Sequence, residues 1–197
     1  MRLARDPGAW HGRTMAESVP DRYRRLAAAM TDRIARVPDD AWSSPTPCEG
    51  WTVRDLVAHL VDVHGRFQAL VGREAVEHPS VDDDPLGAWT AVRDQMQADL
   101  EDPARLDQEY DGRLGRSTFG KSVDGFVCFD LVVHGWDLAR ATGQDTTLEP
   151  QDVERVQAAV DAMGPVMRSN GVIGEPVEVP EGASAQARLL AALGRRP

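Results

Sequence analysis

Positive charge is scarce in this chain, lysine is almost missing, and so is cysteine. Against 32 acidic side chains stand 22 basic ones, for a formal net charge of −10, and Lys121 is the sole lysine. Such a surface repels phosphate backbones and anionic lipid headgroups, which argues against nucleic acid and membrane partners. The bias to arginine fits a GC-rich genome rather than a binding device. Two cysteines, Cys48 and Cys128, make no disulfide framework, in agreement with a reducing compartment. Nowhere do apolar residues run for the roughly 18 positions that mark a membrane-crossing helix. The opening MRLARDPGAWHGRTMAE lacks the apolar centre of a secretory signal, so a cytoplasmic location is expected. What is present is ordinary for a globular protein: 197 residues, 42% hydrophobic and 27% charged, enough for one domain with a full core.

The patterning is mostly helical. Tyr23, Leu26, Met30, Ile34 and Val37 recur at steps of three or four between Pro20, suited to a first helical turn, and Pro38, which stops the run. After the loop DDAWSSPTPCEGW, Thr52 and Asp55 form a T-x-x-D cap ahead of the stripe Val53, Leu56, Leu60, Val63, Phe67 and Leu70, up to Gly72. Asp84 and Pro85 open a third helix on Leu86, Trp89, Val92, Met96 and Leu100, which Pro103 closes. Residues 103–121 read as an ordered loop or a short hairpin around Asp111-Gly112, and the pattern leaves both open. A fourth long helix spans about 122–141, ended by Gly143. A fifth spans about 150–168 on Val153, Val156, Val160, Met163 and Met167, with Gly164-Pro165 expected to kink it or end it early. An extended piece and a short helix between Ser184 and Gly194 complete the chain. Residues 1–14 match no element and read as a loose N-terminal arm, or as an upstream extension if Met15 begins the native chain; residues 15–197 form the single domain. Long helices with short connections favour a bundle, and bundles place ligand and metal sites between facing helices.

One helix carries a chemical question. The run FDLVVHGWDLARATG is apolar in nearly every direction, so it should be buried, and Asp130 and His134 are buried with it. Residues four apart sit about 40° beyond one full turn, so both share a face, with Asp137 near the same line. A buried carboxylate without a partner costs several kcal/mol. Either Asp130 pairs with an arginine and His134 is hydrogen-bonded in the core, or the two are ligands of one divalent ion such as zinc, nickel or iron. Spacing alone favours the ion pair, because D-x-x-x-H recurs by chance. Helix two offers a third ligand in His59 or His64, which lie about 140° apart and cannot both face one site. Periodicity leans to His64, nearer the middle of the apolar stripe. His11 and His78 sit in polar segments and read as solvated.

The segments TPCEGWTVRDLVAHLV and DLVVHGWDLARATGQ, with the ending VPEGASAQARLLAALGRRP, resemble actinobacterial metal-binding proteins of the DinB-like superfamily, related to the N-terminal domain of mycothiol-dependent maleylpyruvate isomerase. The resemblance covers about residues 15–197. It implies an all-α fold, a DinB-like four-helix bundle with additional C-terminal helices and a short extended segment. It also implies three metal ligands: His59 from the DLVAHL stretch, and Asp130 and His134 from DLVVHGWD. The lean of periodicity to His64 gives way to that carry-over. Mycothiol enters as the implied thiol cosubstrate, with a small electrophilic substrate. The resemblance reaches only the first domain of the isomerase, which itself carries a further C-terminal domain that helps bind substrate, so its own reaction is not expected to carry over.

Three functions fit these residues. Three protein ligands leave an open coordination position that a thiol could take as its thiolate, in a metal-dependent S-transferase or isomerase. The same position with water makes a hydrolase. The ion could instead serve a non-catalytic or stress-related protein by stabilising the bundle. Asp137 either orients His134 or pairs with Arg54 or Arg140. Cys48, just ahead of helix two, is a structural thiol or a reactive one, and Cys128 is core. Trp51 and Trp136 either wall a pocket or simply pack.

Overall fold

Prolines and polar caps start the long helices where the sequence places them. In the computed structural model, which describes residues 17–112 and 115–197, α1 spans Val19–Ala35, with the Ser18 side chain accepting from the Asp21 amide and Pro20 in the first turn. The expected arm over residues 1–14, with His11, lies outside the described residues. α2 spans Val53–Ala69, and its cap is reciprocal: Thr52 accepts from the Asp55 amide while the Asp55 carboxylate accepts from the Thr52 amide. Such a cap satisfies two amides that the first turn leaves open. α3 spans Pro85–Glu101 behind an Asp84 cap, and one further turn, α4, spans Pro103–Leu106.

Within residues 103–121, which the sequence left as loop or hairpin, a hairpin follows the short α4. β1, Glu109–Gly112, pairs antiparallel with β2, Gly115–Thr118, with Gly112 opposite Gly115. The expected continuous helix over 122–141 is corrected. A short α5, Phe119–Ser122, leads through a π-helical turn at Val123–Val127 into α6, Cys128–Thr142, which ends on Gly143 at φ 69°. The wide turn presents Asp124 to α1, where the Arg22 guanidinium donates to its carboxylate at 2.6 Å. α7 runs Pro150–Ser169, through Pro165, so the expected early end is also corrected. Gly164 and Met167 are buried on either side of that proline, and this packing outweighs the lost backbone hydrogen bond. α8 spans Ala185–Ala192.

α1 packs on α3 and α6, and α2 packs on the same two, closing a four-helix bundle; α7 packs beside α6 and carries α8. The fold is thus all-α and DinB-like with one small hairpin. Its core joins the predicted stripes: Tyr23, Met30 and Ile34 of α1, Leu56 and Leu60 of α2, Trp89, Met96 and Leu100 of α3, and Leu138 of α6. Cys128 is fully buried, as expected. Among the described residues no helix is long and apolar enough to cross a membrane.

His64 is part of this core, with no exposed surface. Its Nδ1 lies 2.7 Å from the Leu60 carbonyl, which can only accept, so Nδ1 carries the proton and Nε2 accepts from the Tyr23 hydroxyl at 3.0 Å. Burial pushes its pKa down to about 4, against a smaller upward pull from the Leu60 carbonyl and Asp130. A base depressed in the folded state binds its proton more readily unfolded, so stability falls as pH drops from 6.5 through about 4, by on the order of 3 kcal/mol. Urea midpoints measured across that range should decline in the wild type and stay flatter in His64→Phe.

Candidate metal centre

Two helices and one turn assemble the site. α2 brings His59 and α6 brings Asp130 and His134, on faces that meet in the bundle. The turn ahead of α2 is drawn tight by three backbone bonds: Thr46 N to Trp51 O, Trp51 N to Cys48 O, and Val53 N to Ser44 O. Gly50, at φ 77°, occupies the left-handed conformation that this turn requires. The result sets Cys48 and Trp51 against the two imidazoles. The Trp51 ring centroid lies 4.8 Å from that of His59 and 5.9 Å from that of His134, near stacking in the second case. Of the two expectations for the tryptophans, Trp51 walls the site, and Trp136 is buried as packing.

The three residues singled out from the sequence come together. His59 Nε2 is 3.5 Å from Asp130 Oδ2, the His59 and His134 rings are 5.0 Å apart edge to face, and one donor atom from each of the three lies within 4.8 Å of the others. Among the described residues Asp130 has no arginine within ion-pair distance. The ion-pair reading of Asp130 is therefore corrected. His59 and Asp130 keep side-chain exposures of 27% and 20%, so the cluster opens to solvent on that side. His64, the candidate favoured by periodicity, instead lies in the core, hydrogen-bonded to Leu60 and Tyr23.

Behind His134 is a second layer. Its Nδ1 donates to Asp137 Oδ2 at 3.0 Å, leaving Nε2 as the nitrogen able to coordinate. Asp137 has no exposed surface, and its charge is answered by Arg195, whose Nε donates to Oδ1 at 3.2 Å and whose Nη2 donates to Oδ2 at 2.9 Å. Pairing of Asp137 with Arg54 or Arg140 is corrected accordingly: Arg54 donates to the Val81 and Asp82 carbonyls, and Arg140 is exposed. Cys48 Sγ lies 3.3 Å from Asp137 Oδ2, 3.4 Å from Arg195 Nη2 and 3.8 Å from His134 Nδ1. Cys48, His134 and Asp137 thereby make a second three-donor cluster that shares His134 with the first. Arg195 escaped the sequence reading because it follows the last helix and no spacing ties it to Asp137.

Charge sorts the two clusters. Around His59, Asp130 and His134 there is one carboxylate, with no arginine or lysine paired to it among the described residues, and two imidazoles with one carboxylate suit a divalent ion such as zinc. Burial alone would push His134 down, yet its hydrogen bonds to Asp137 and Cys48 and the charges of Asp130 and Asp137 win, raising it to about 10. Burial pushes Asp137 up, and its bonds from His134 and Arg195 reverse that and hold it below the usual carboxylate range. With no metal bound, His134 is thus an imidazolium at neutral pH, and a cation bound at Nε2 takes the place of that proton.

Residues 23–139 match the family model described as the mycothiol maleylpyruvate isomerase N-terminal domain. The chain belongs to that family. His59, Asp130, His134, Asp137 and Cys48 all lie inside the matched segment, and Arg195 lies outside it. The chain is also similar to two uncharacterized proteins of Mycobacterium tuberculosis, Rv0738 and MT0763, each 35% identical over 153 residues that cover 76% of this chain and 81% of the relative. No solved structure matches the chain at a significant level.

The raised His134 has a measurable sign. A histidine held protonated by folding contributes stability that is fully present below pH 6.5 and is lost as pH rises through about 10. Metal-free protein should therefore lose a few kcal/mol of unfolding free energy between those limits, read from denaturant midpoints. Asp137→Asn should flatten that alkaline decline; an equally steep decline in the variant would show that the pair does not hold the proton.

Proposed function

We propose that the chain binds one divalent ion through His59, Asp130 and His134, zinc being the leading candidate, and uses it to activate a low-molecular-weight thiol such as mycothiol against a small electrophile, in an S-transferase or isomerase type of reaction. The observation that carries this reading is the meeting of two imidazoles and one carboxylate within 4.8 Å, with His134 already oriented by Asp137 and, among the described residues, no arginine on Asp130. Three protein ligands are the number found in catalytic zinc sites, where a further position stays open. A divalent ion in that place supplies the positive charge that favours a thiolate over a thiol at neutral pH.

The rest of the chemistry belongs to the chain. Asp137 keeps the His134 ring from turning, by taking the Nδ1 proton in a hydrogen bond. Trp51 covers the imidazole faces on one side and narrows access to the solvent-open edge at His59 and Asp130. Membership in a mycothiol-related family supports a small thiol as the ligand that enters from that edge. At a net charge of −10 the surface offers no steering for an anionic substrate, so attraction has to be local to the site.

Metal content separates the ligands. His59→Ala should lose most bound zinc, measured by atomic emission after purification without a histidine tag, whereas His64→Gln should keep it; equal loss in both, or a wild type that takes up none from excess zinc, defeats the reading. Chelation should lower the melting temperature, because an ion at about 100 times its dissociation constant stabilises the fold by roughly 2.7 kcal/mol.

The thiol has its own test. Cobalt-loaded protein titrated with mycothiol should develop a saturable sulfur-to-cobalt charge-transfer band that Asp130→Ala abolishes. A cobalt protein that hydrolyses esters or amides and shows no band at millimolar thiol would make it a hydrolase instead.

A further inference from the structure

The two three-donor clusters meet at His134, yet one of them already contains a cation. A thiol, an imidazole and a carboxylate form a softer donor set than His59, Asp130 and His134, and on chemistry alone zinc or cobalt would be drawn to the sulfur. Arg195 stands in that position. Its guanidinium bridges Asp137 Oδ1 and Oδ2 at 3.2 and 2.9 Å and reaches Cys48 Sγ at 3.4 Å, with only 8% of the residue exposed. An arginine does not lose its proton at any accessible pH, so it cannot yield to a metal by neutralising itself.

The backbone pins it there. The Arg195 amide donates to the Leu190 carbonyl at 2.8 Å and Nη1 donates to the Leu193 carbonyl at 2.9 Å. Gly194, at φ 85°, turns the chain inward, and a Cβ on it would come within 2.8 Å of the Gly174 Cα. That contact holds the end of α8 against the extended segment after α7, where the Gly174 amide donates to the Leu193 carbonyl at 3.2 Å.

We propose that Arg195 is a specificity-determining residue: a built-in cation that fills the Cys48–His134–Asp137 cluster, keeps the Cys48 thiol out of the coordination sphere, and confines the ion to the His59–Asp130–His134 side. This rests on the metal reading given above and adds to it which face of His134 the ion uses and why. It also leaves the open coordination position to a sulfur from outside the chain, because the protein's own sulfur is held by the guanidinium and by Asp137.

Cobalt spectra without added thiol test the assignment. Wild type and Cys48→Ser should give the same spectrum, with no sulfur-to-cobalt band. Arg195→Leu and Arg195→Gln should each gain such a band, and it should vanish when Cys48→Ser is added. A sulfur band in the wild type that Cys48→Ser removes overturns the proposal, and so does its absence from cobalt-loaded Arg195→Leu and Arg195→Gln. If neither Arg195 variant folds, the comparison of wild type with Cys48→Ser still overturns the proposal when the wild type shows a sulfur band that Cys48→Ser removes. Failure of the metal reading itself looks different: the wild type then takes up no cobalt, or retains it after His59→Ala.

Discussion

The hydrogen bond from His134 Nδ1 to Asp137 is the constraint on which the centre of this molecule is built. It decides which nitrogen of His134 faces His59 and Asp130, and it places a carboxylate with no solvent contact inside an apolar helix. A carboxylate so placed demands a cation, since breaking a buried pair by removing one partner costs roughly 3–5 kcal/mol. The fold meets that demand from far along the chain with Arg195, and the end of α8 is shaped to deliver it. Packing, backbone turn and electrostatics therefore converge on one three-residue chain of contacts.

Two histidines of one bundle show how far surroundings set behaviour. His64 faces a carbonyl and a phenol hydroxyl and is driven down to about 4, whereas His134 faces carboxylates and is raised to about 10. Both are buried, so desolvation acts on each in the same direction. What differs is the charge nearby: His64 has no ionised hydrogen-bond partner, and His134 has Asp137 in direct contact. The first is thereby a neutral core residue that ties α2 to α1. The second is a group whose proton a metal ion can replace.

Much of the fold was legible because helix starts carry explicit chemistry. Pro20 marks the first turn of α1, and Thr52, Asp84 and Ser184 cap where their side chains can reach the third amide onward; the apolar stripes of the first three helices name the buried faces. The π-helical turn at Val123–Val127 was not legible, because a run with apolar residues on nearly every side has no periodic register in which a one-residue shift would be seen. Of the two outcomes expected at Pro165, the early end lost to burial of its neighbours. At the site, the i, i+4 spacing put Asp130 and His134 on one face. Choosing between His59 and His64 needed the motif, since a residue at the stripe's edge and one at its middle can each meet a neighbouring helix. Arg195 depends on the path of the chain through α7 and α8, which no local pattern encodes.

The contact between Gly194 and Gly174 has a consequence for where the family segment can be cut. Every donor atom of both clusters lies within residues 23–139, so a fragment ending there would look chemically complete. Its electrostatics would not be. Asp137 would keep its bond from His134 and lose both bonds from the Arg195 guanidinium. The end of the family-model match and the end of the charge-balanced unit are different places in this protein, separated by the two helices that bring Arg195 home.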